Sequence, residues 1–389
     1  MNHYLRLILT DSYKVFNKSS IKSFNIKDWN NCNNSGNVFL SYNFLLLLEE
    51  SNSINVENGW EPIYFGLKKN EILEAVVPCF IKYHSQGEFV FDHAWAQAYQ
   101  RYGLDYYPKL LIASPFTPVT GKRFLTRESD DSLARKKLIK SIKEFCNMRN
   151  ISSIHVNFFD KSELYFFENE DFIIRFGEQF HFINKKYNSF DNFLETMSYK
   201  NRKKIKKERE FIKNIEVDIE VINANNLTEE LCDKMYKFYI STINKKWSYN
   251  YLSKEFFLGL PYYLRNESLL ILAKSDKEII GGALNFLSNN NLYGRYWGSS
   301  KDIKYLHFEV CYYKAIEIAI NNNYLKVEAG AQGAHKIKRG YTPQITYSAH
   351  YIFNSSMRKA IEKYVSEERK IIKQEINFIN SNYSPFKIT

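Results

Sequence analysis

Seven basic side chains crowd one short segment in the middle of the chain. Tyr199 to Ile212 has helical periodicity, and ten of its positions hold seven cations and the single acid Glu208. The seven are Lys200, Arg202, Lys203, Lys204, Lys206, Lys207 and Arg209. Like charges on adjacent helical turns repel, whereas a phosphate accepts several charge-assisted hydrogen bonds from Lys and Arg. The pattern predicts either a helix that lines an anion-binding groove or a solvated face in a Lys-rich chain.

A second segment combines small residues with groups that can bind or transfer protons. Glu328 to Tyr341 reads EAGAQGAHKIKRGY and follows a predicted strand. Small residues let a ligand approach the backbone, and strand ends are where α/β sheets place ligands. Glu328 and His335 are candidates for proton transfer, and the candidates for substrate binding are Gln332, Lys336 and Arg339. A tight connection between a strand and a helix is the alternative.

A third segment, Glu88 to Tyr107, mixes aromatic rings with carboxylates. Hydroxylated rings beside acids can form a pocket for a sugar or a peptide, and Asp92 is the candidate there for contact with an acceptor. An ordinary aromatic core explains the same composition equally well.

Other chemistries lack local support. The eight histidines form no HxxxH or HxH pair, and no Walker loop, GxGxxG or GxSxG motif occurs. The five cysteines are scattered and form no CxxC pair, which argues against a disulfide scaffold or a zinc site. They are Cys32, Cys79, Cys146, Cys232 and Cys311. A reducing, cytoplasmic location and no metal are therefore expected.

Length and composition limit the class of protein. The chain has 389 residues, a formal charge of +11, 44% hydrophobic residues and 16% aromatic residues. This suits two domains with real cores and excludes intrinsic disorder as the main state. No apolar run approaches the roughly 18–20 residues that span a bilayer, so an integral membrane segment is not expected.

Two stretches predict the same order of elements: a helix, three antiparallel strands, a helix and a strand. The predicted strands are Pro62–Leu67, Ile72–Tyr83, Phe89–Phe91 and Ile151–Phe159 in the first, and Leu269–Ala273, Ile279–Leu287, Leu292–Trp297 and Tyr324–Glu328 in the second. The predicted helices are Tyr42–Glu50, Asp131–Asn147, Glu229–Thr242 and His307–Asn321. The prediction is a tandem of two similar α/β units, 1–188 and 189–389, the second opening with the basic helix at about 198–213. Met357 to Ile379 predicts a long helix packed on the body, with Tyr364 on its apolar side.

Seven segments along the chain carry a family resemblance. They are Phe39–Ser51, Glu88–Lys109, Ser114–Gly121 (SPFTPVTG), Lys200–Glu210, Tyr293–Gly298, His307–Tyr313 and Glu328–His350. Together they resemble the bacterial Fem-like family described as peptidoglycan biosynthesis or recognition proteins, a branch of the GNAT N-acyltransferase superfamily. The resemblance covers nearly the whole chain. It implies a tandem pair of GNAT-like units, each a mixed, mainly antiparallel sheet flanked by helices.

The resemblance also implies an activity. The better-known Fem-type transferases move an amino acid from aminoacyl-tRNA to the side-chain amine of a peptidoglycan precursor, and their basic segment lies near the phosphates of that precursor. By analogy Lys200, Arg202, Lys203 and Lys206 are phosphate candidates. One departure concerns the donor. The Q/R-x-x-G-x-G/A loop of coenzyme A-using GNAT proteins is replaced by Ser299 to Leu306, SSKDIKYL, which has no glycine. This counts against acetyl-CoA.

The expected function is therefore an N-acyltransferase that forms an amide on an amine acceptor, either a peptidoglycan-type precursor or a small molecule. The donor is aminoacyl-tRNA or acyl-CoA, and no other cofactor is expected. Glu309 and His307 at a helix start are proton-transfer candidates beside Glu328 and His335, and Trp297 is a further substrate-binding candidate. The alternatives are an acyl-CoA-dependent N-acetyltransferase of a small molecule and a non-catalytic protein that binds RNA or an envelope precursor.

Overall fold

The computed structural model describes residues 13–128, 131–246, 249–330 and 333–387. The strands in these ranges are β1 Tyr13–Lys18, β2 Trp60–Lys69, β3 Ile72–Lys82, β4 Lys109–Ile112, β5 Leu125–Thr126, β6 Ser153–Phe159, β7 Ile173–Ile183, β8 Asp218–Ile222, β9 Ser268–Ser275, β10 Glu278–Ser288, β11 Asn291–Ser299, β12 Lys326–Glu328 and β13 Thr342–Ile352. The helices are α1 Ile26–Cys32, α2 Tyr42–Glu50, α3 His93–Arg101, α4 Ser132–Met148, α5 Leu164–Asn169, α6 Phe190–Thr196, α7 Tyr199–Asn214, α8 Glu229–Lys246, α9 Lys254–Tyr263, α10 Leu306–Phe308, α11 Lys314–Asn321 and α12 Ser355–Asn382. A π-helical turn, Glu309–Tyr313, joins α10 to α11, and a 3-10 turn covers Ala334–Arg339.

The described strands form one large sheet. Its order is β1-β2-β3-β4-β6-β13-β7-β12-β11-β10-β9-β8, with β5 paired to β3. Neighbours along this order are antiparallel except for two parallel pairs, β4 with β6 and β11 with β12. The sheet is therefore mixed but mainly antiparallel, and helices flank it.

The predicted repeat is visible in this order. Strands β2, β3 and β4 form an antiparallel meander, α4 follows, and β6 returns parallel to β4. In the same way β9, β10 and β11 form a meander, α10 and α11 follow, and β12 returns parallel to β11. The predicted fold class, a tandem of GNAT-like units, is confirmed.

Tight turns explain why both meanders form. The two-residue turns Asn70-Glu71, Asp276-Lys277 and Asn289-Asn290 all have positive φ, between 49° and 69°. Such turns match the right-handed twist of the strands that they join, and Asn and Asp tolerate this conformation better than most residues. Polar turn residues at hairpin spacing thus fix the pairing of neighbouring strands.

The predicted third strand of the first meander is wrong. Phe89 to Phe91 form no strand, and the third strand is Lys109–Ile112, twenty residues later. The carboxylates of Glu88 and Asp92 both bind the ammonium of Lys109. Because these ion pairs are buried, the segment wraps around the end of β4 instead of running along β3.

Strand β13 ties the two predicted units together. This strand, near the end of the chain, pairs with β6 on one side and with β7 on the other, and Ala349 lies opposite both Val156 and Ile174. Strand β7 in turn pairs with β12 at Phe182 and Val327. The predicted units 1–188 and 189–389 therefore share one continuous sheet.

Different helices pack on the two faces of the sheet. One face packs against α4 and α5 in the first half and against α6, α7, α10 and α11 in the second. On the opposite face, α1 and α2 of the first half share a core with α8 and α9 of the second, and Phe44 meets Phe256 at 6.1 Å between ring centroids. Helix α3 covers the middle of this opposite face, together with the start of α12. The predicted packing of α12 is confirmed, although Tyr364 is exposed.

Candidate active site

The candidate site lies where β11 and β12 separate. Their pairing ends at Tyr293 and Glu328, and the two chains then diverge. The Glu328 carboxylate is buried at this end, with Oε1 2.6 Å from Lys326 Nζ and Oε2 3.2 Å from Arg295 Nη2. His181 on β7 faces the same carboxylate, its Nε2 3.9 Å from Oε1. Four ionisable side chains from three strands thus meet at one strand end.

These neighbours decide the charge of Glu328. Burial alone would raise the pKa of this carboxyl, but His181, Lys326 and Arg295 together lower it below its usual value. Burial also lowers the pKa of His181 to about 4, although Glu328 opposes this shift. Glu328 is therefore ionised and His181 neutral at neutral pH. The lowered pKa makes this imidazole a weaker base than an ordinary histidine.

Two cations give the site a positive surplus. Lys336, in the 3-10 turn, is buried and donates to the carbonyl of Gly330 over 2.8 Å. Burial, and secondarily the charge of Arg295, lowers the pKa of Lys336 to about 8. The Arg295 guanidinium lies 5.2 Å from the ring of Phe39, and its Nε has no hydrogen-bond partner among the described residues. Counted with Lys326, the site holds three cations and one carboxylate.

The small-residue segment leaves room beside these cations. Gly330 has a φ of +79°, and a Cβ built there would meet nothing within 4 Å. Gly333 also has positive φ, at +124°. The predicted substrate-binding residue Gln332 lies outside the described residues. Among the described residues, the backbone of Gly330, whose carbonyl binds Lys336, is thus open to an approaching group, whereas a Cβ at Gly333 would meet His335.

Three sequence-predicted residues, His307, Trp297 and His335, gather near the start of α10, and Glu309 lies in the turn that follows it. His307 packs against Trp297, with ring centroids 5.4 Å apart, and lies 6.4 Å from His335. The Nε2 of His335 is 2.9 Å from the hydroxyl of Tyr312. Glu309 is buried in the π-helical turn, where burial raises its pKa although the ion pair with Arg209 opposes the rise. The structure thus brings His307, His335 and Trp297 together.

Helix α7 is anchored by its own acid. Glu208 faces inward, 2.9 Å from Arg339 Nη2, and it also accepts a hydrogen bond from Tyr313. The guanidinium of Arg339 stacks over the ring of Phe308, with its Cζ 3.4 Å from the ring centroid. Arg339 therefore fastens α7 to the 3-10 turn that carries Lys336 and is not available to a ligand.

Most of the other cations of α7 point outward, whereas Arg209 pairs with Glu309 and Glu317. Lys200, Lys203 and Lys206 are exposed, and Arg202 is half-buried beside the ring of Tyr199. None of these four forms an ion pair with any residue that the structure describes. They therefore offer a row of cations without internal anions, as a phosphate-binding surface requires.

Asp92 occupies a separate buried cluster in the first half. It binds Lys109 and accepts a hydrogen bond of 2.5 Å from Tyr106. Burial would raise the pKa of Asp92, but Lys109 and its hydrogen bonds hold it below its usual range. Burial raises the pKa of Glu88 to about 7 and lowers that of Lys82 to about 6. Asp92 is 2% exposed, and Lys109 takes up its charge.

Several polar residues of this face were missed by sequence reasoning. They are Arg295, His181, Gln179, Asn157, His155 and His350, all on the buried central strands. Side chains alternate between the faces of a sheet, so polar residues at every second position mark one face. Gln179 with His181, and His155 with Asn157, show this spacing inside otherwise apolar strands. That alternation is the signal that could have found them.

Two kinds of feature are absent from the described ranges. No helix there is both long and apolar enough to cross a bilayer. The same residues hold no group of three or more His, Cys, Asp or Glu side chains that could bind a metal ion.

Comparison with known proteins supports this architecture. FemX is 11% identical with a TM-score of 0.52, over 81% of this chain and 93% of FemX. L-PGS from Bacillus licheniformis is 12% identical with a TM-score of 0.51, over 81% of this chain and 93% of its own. A conserved protein of unknown function from Bacteroides thetaiotaomicron is 10% identical with a TM-score of 0.52, over 88% of this chain and 100% of its own. At these identities the shared property is the fold.

Among curated proteins, none matches the sequence. Residues 20–388, in contrast, match the FemAB-like family, described as peptidoglycan biosynthesis/recognition. Because this match spans nearly the entire chain, the protein belongs to the FemAB-like family.

Proposed function

We propose that the protein is an N-acyltransferase that moves an aminoacyl group from aminoacyl-tRNA to an amine of a peptidoglycan-type precursor. The observation that carries the proposal is the positive surplus at the divergence of β11 and β12. Arg295 and Lys326 pair with the single carboxylate of Glu328 there, and Lys336 adds a third cation on the segment that follows β12. Membership of the FemAB-like family supports the cell-wall substrate, and the fold shared with FemX and L-PGS is consistent with it.

The reaction needs a group that stabilises negative charge. The acceptor nitrogen attacks the ester carbonyl of the donor, a C–N bond forms, and the carbonyl oxygen becomes an oxyanion. Lys336 is a buried cation bonded to the carbonyl of Gly330, and the guanidinium of Arg295 is buried beside Glu328, so both can stabilise that oxyanion. The C–O ester bond then breaks. The proton lost by the amine ends on the leaving hydroxyl.

The cations of α7 supply the second requirement, which is affinity for phosphate. Lys200, Lys203 and Lys206 point outward on the helix that Glu208 fastens to the Lys336 segment. Phosphates of tRNA or of a nucleotide-linked precursor suit this surface. Such binding would hold the reacting group near the positive site.

The direct test is a transfer assay with purified protein. Radiolabelled aminoacyl-tRNA is mixed with a muropeptide that has a free side-chain amine, and acetyl-CoA replaces the tRNA in a parallel reaction. Label on the muropeptide in the first reaction is the expected result. Acetylation alone would replace the proposed donor with acyl-CoA, and transfer from neither donor to any peptide amine would contradict the proposal.

Variants of Lys336 test the assigned chemistry. Lys336→Met should lower kcat by about 100-fold, the usual cost of one donor to an oxyanion. The control Lys18→Met removes an exposed ammonium from β1, at the far edge of the sheet, and should change nothing. Because the pKa of Lys336 is about 8, the wild-type rate should fall above that pH as the ammonium loses its proton. Lys336→Arg should shift this fall to higher pH.

A further inference from the structure

Helix α12 carries two apolar rows, and the body of the protein covers only one of them. The other row consists of Tyr364, Ile371 and Phe378, which are 50%, 53% and 57% exposed. Residues seven apart lie on nearly the same line of a helix, because seven residues complete almost two turns. With a rise of about 1.5 Å per residue, this outer row is about 21 Å long. An exposed apolar row of this length marks an interaction surface.

The outer row continues into neighbouring segments. Tyr383, just after α12, is 59% exposed, and its ring centroid lies 5.7 Å from that of Phe378. The chain then meets the start of α7, where the N–H of Ser198 donates to the carbonyl of Pro385 over 3.0 Å. Tyr199, the first residue of α7, has a ring that is 69% exposed. The end of α12 and the start of α7 thus present exposed rings close to one another.

Buried contacts hold this surface in place. Phe386 packs into the core of the second half, and Met197, which is fully buried, pairs with it as an antiparallel bridge. Farther up the helix, Arg175 on β7 binds the carboxylate of Glu368 over 2.7 Å. The outer row is therefore presented by a helix that is fixed at its middle and beyond its end.

The surroundings of the outer row are basic. Helix α12 carries six cations and four acids. The segments 183–200 and 378–387, which meet at the start of α7, carry four lysines and the two acids Asp191 and Glu195. All four lysines are exposed, and none pairs with an acid in the part of the chain that the structure describes. They are Lys185, Lys186, Lys200 and Lys387. A positive surplus thus lies beside the exposed rings.

Apolar side chains and tyrosine rings beside lysines suit the boundary between water and an anionic bilayer. Tyrosine rings settle at that boundary with the hydroxyl among the headgroups, and lysines near the surface attract anionic lipids. RNA fits less well, because the aliphatic Ile371 at the centre of the row cannot stack on a base as an aromatic ring does. A membrane surface uses both the apolar row and the lysines.

We propose that the outer row of α12, with Tyr199 and Tyr383, docks the protein on an anionic membrane surface. The lysines at the end of the row face the lipid headgroups. The inference goes beyond the proposed function, and binding to a membrane does not depend on transfer.

The test measures co-sedimentation of the purified protein with lipid vesicles. One set consists of phosphatidylcholine mixed with phosphatidylglycerol, and the other of phosphatidylcholine alone. Wild type should bind the anionic set much more tightly. The variant Ile371→Gln/Phe378→Gln should bind that set at least about ten-fold more weakly, because two apolar side chains no longer enter the interface. Its Tm should stay nearly unchanged, since both side chains are more than half exposed.

A second variant tests the lysines. Lys185→Gln/Lys387→Gln removes two exposed charges and should weaken binding to the anionic vesicles by about 30-fold, the effect expected for two lysines at a charged surface. Added salt should weaken wild-type binding in the same direction.

Leu133→Gln/Tyr165→Gln is the matched control. These two side chains lie on α4 and α5, and they are exposed to a similar degree or more. The control variant should bind anionic vesicles as wild type does.

Three results would overturn the inference. They are no binding of wild type to anionic vesicles, unchanged affinity in the outer-row variant, and equal loss of affinity in the control. A dimer that the outer-row variant dissociates, without vesicle binding, would assign the row to a second copy of the chain. Binding of tRNA that depends on the row, without vesicle binding, would assign it to RNA. Failure of the transfer assay with intact, variant-sensitive vesicle binding would contradict the proposed function alone.

Discussion

Lys82 offers a strong test of the energetics of this fold, because it is a buried amine on an aromatic ring. Its ammonium lies 3.7 Å from the ring centroid of Trp60, the side chain is 0% exposed, and the nitrogen donates to the carbonyl of Gln86 over 3.3 Å. Burial, helped by the charge of Lys109, lowers the pKa of Lys82 from 10.5 to about 6, although Glu88 and Asp92 oppose the shift. Substitution by Met keeps the length of the side chain and removes the ionisable group.

The expected gain follows from this pKa. At pH 7 the unfolded lysine is protonated and the folded one is neutral, so folding must release a proton. With about 1.36 kcal/mol per pKa unit over about 3.5 units, this costs about 5 kcal/mol. Met loses the bond to Gln86, worth about 1 kcal/mol, but that carbonyl still accepts from Trp60 Nε1 over 3.2 Å. Lys82→Met should therefore stabilise the protein at pH 7 by about 3–4 kcal/mol.

The sign of the pH dependence provides a second readout. Between pH 6 and 10.5 the unfolded state binds one more proton at this site than the folded state, so wild-type stability should rise with pH across that window. The stabilisation by Lys82→Met should be greatest below pH 6 and vanish above pH 10.5. Urea unfolding at pH 6, 7, 8, 9 and 10 measures both quantities, with Lys18→Met as an exposed control.

One competing effect could reverse this result. A charged Lys82 would gain about 2 kcal/mol from Trp60 as a desolvated cation–π contact. That is less than the cost of burial, so the neutral form should prevail. Destabilisation by Lys82→Met, or an unchanged slope of stability against pH, would refute the reasoning and show that the ammonium stays charged over the ring.

Two further predictions concern helix α7. Glu208→Gln should destabilise the protein by about 3–5 kcal/mol in urea unfolding, because it leaves the Arg339 guanidinium buried without its carboxylate. Adding Arg339→Met should recover most of that loss. A cost below about 1 kcal/mol would show that the pair is not needed to anchor the helix. Replacing Lys200, Lys203 and Lys206 with Glu should abolish salt-sensitive binding of tRNA in filter assays. The Tm should stay nearly unchanged, because these side chains are exposed. Unchanged binding would exclude this surface as the RNA contact.

Local sequence pattern was sufficient to predict the bounds of several elements in both units. The expected strands at 269–273, 279–287 and 292–297 lie inside β9, β10 and β11. The helix at 42–50 has the bounds of α2, whose N-cap Ser41 accepts from the backbone of Phe44 over 3.2 Å. Periodicity, caps and turns act within a few residues, so the sequence displays them directly.

The candidate site was predicted only in part. The sequence singled out Glu328 and Lys336 because they follow a strand in a small-residue segment, and the structure places both at the divergence of β11 and β12. It did not indicate that Arg339 would be taken up by Glu208, or that Asp92 would be closed by Lys109. Which cations stay available depends on their partners, and partners distant in the chain leave no local pattern.

The sequence by itself determined the repeated order of helices and strands, the charge of α7 and, through the resemblance, the family. Only the tertiary structure decided how the halves join. Strand β13 enters between β6 and β7, and Gln179 reaches from β7 to the loop at Pro118. Such pairings join residues that are 60 to 200 positions apart, and they are selected by the packing of the whole sheet rather than by neighbours in the chain. The same packing sets the protonation states of His181 and Lys336 and leaves the side-chain amide of Asn157 without a partner among the described residues. It therefore decides where chemistry can occur.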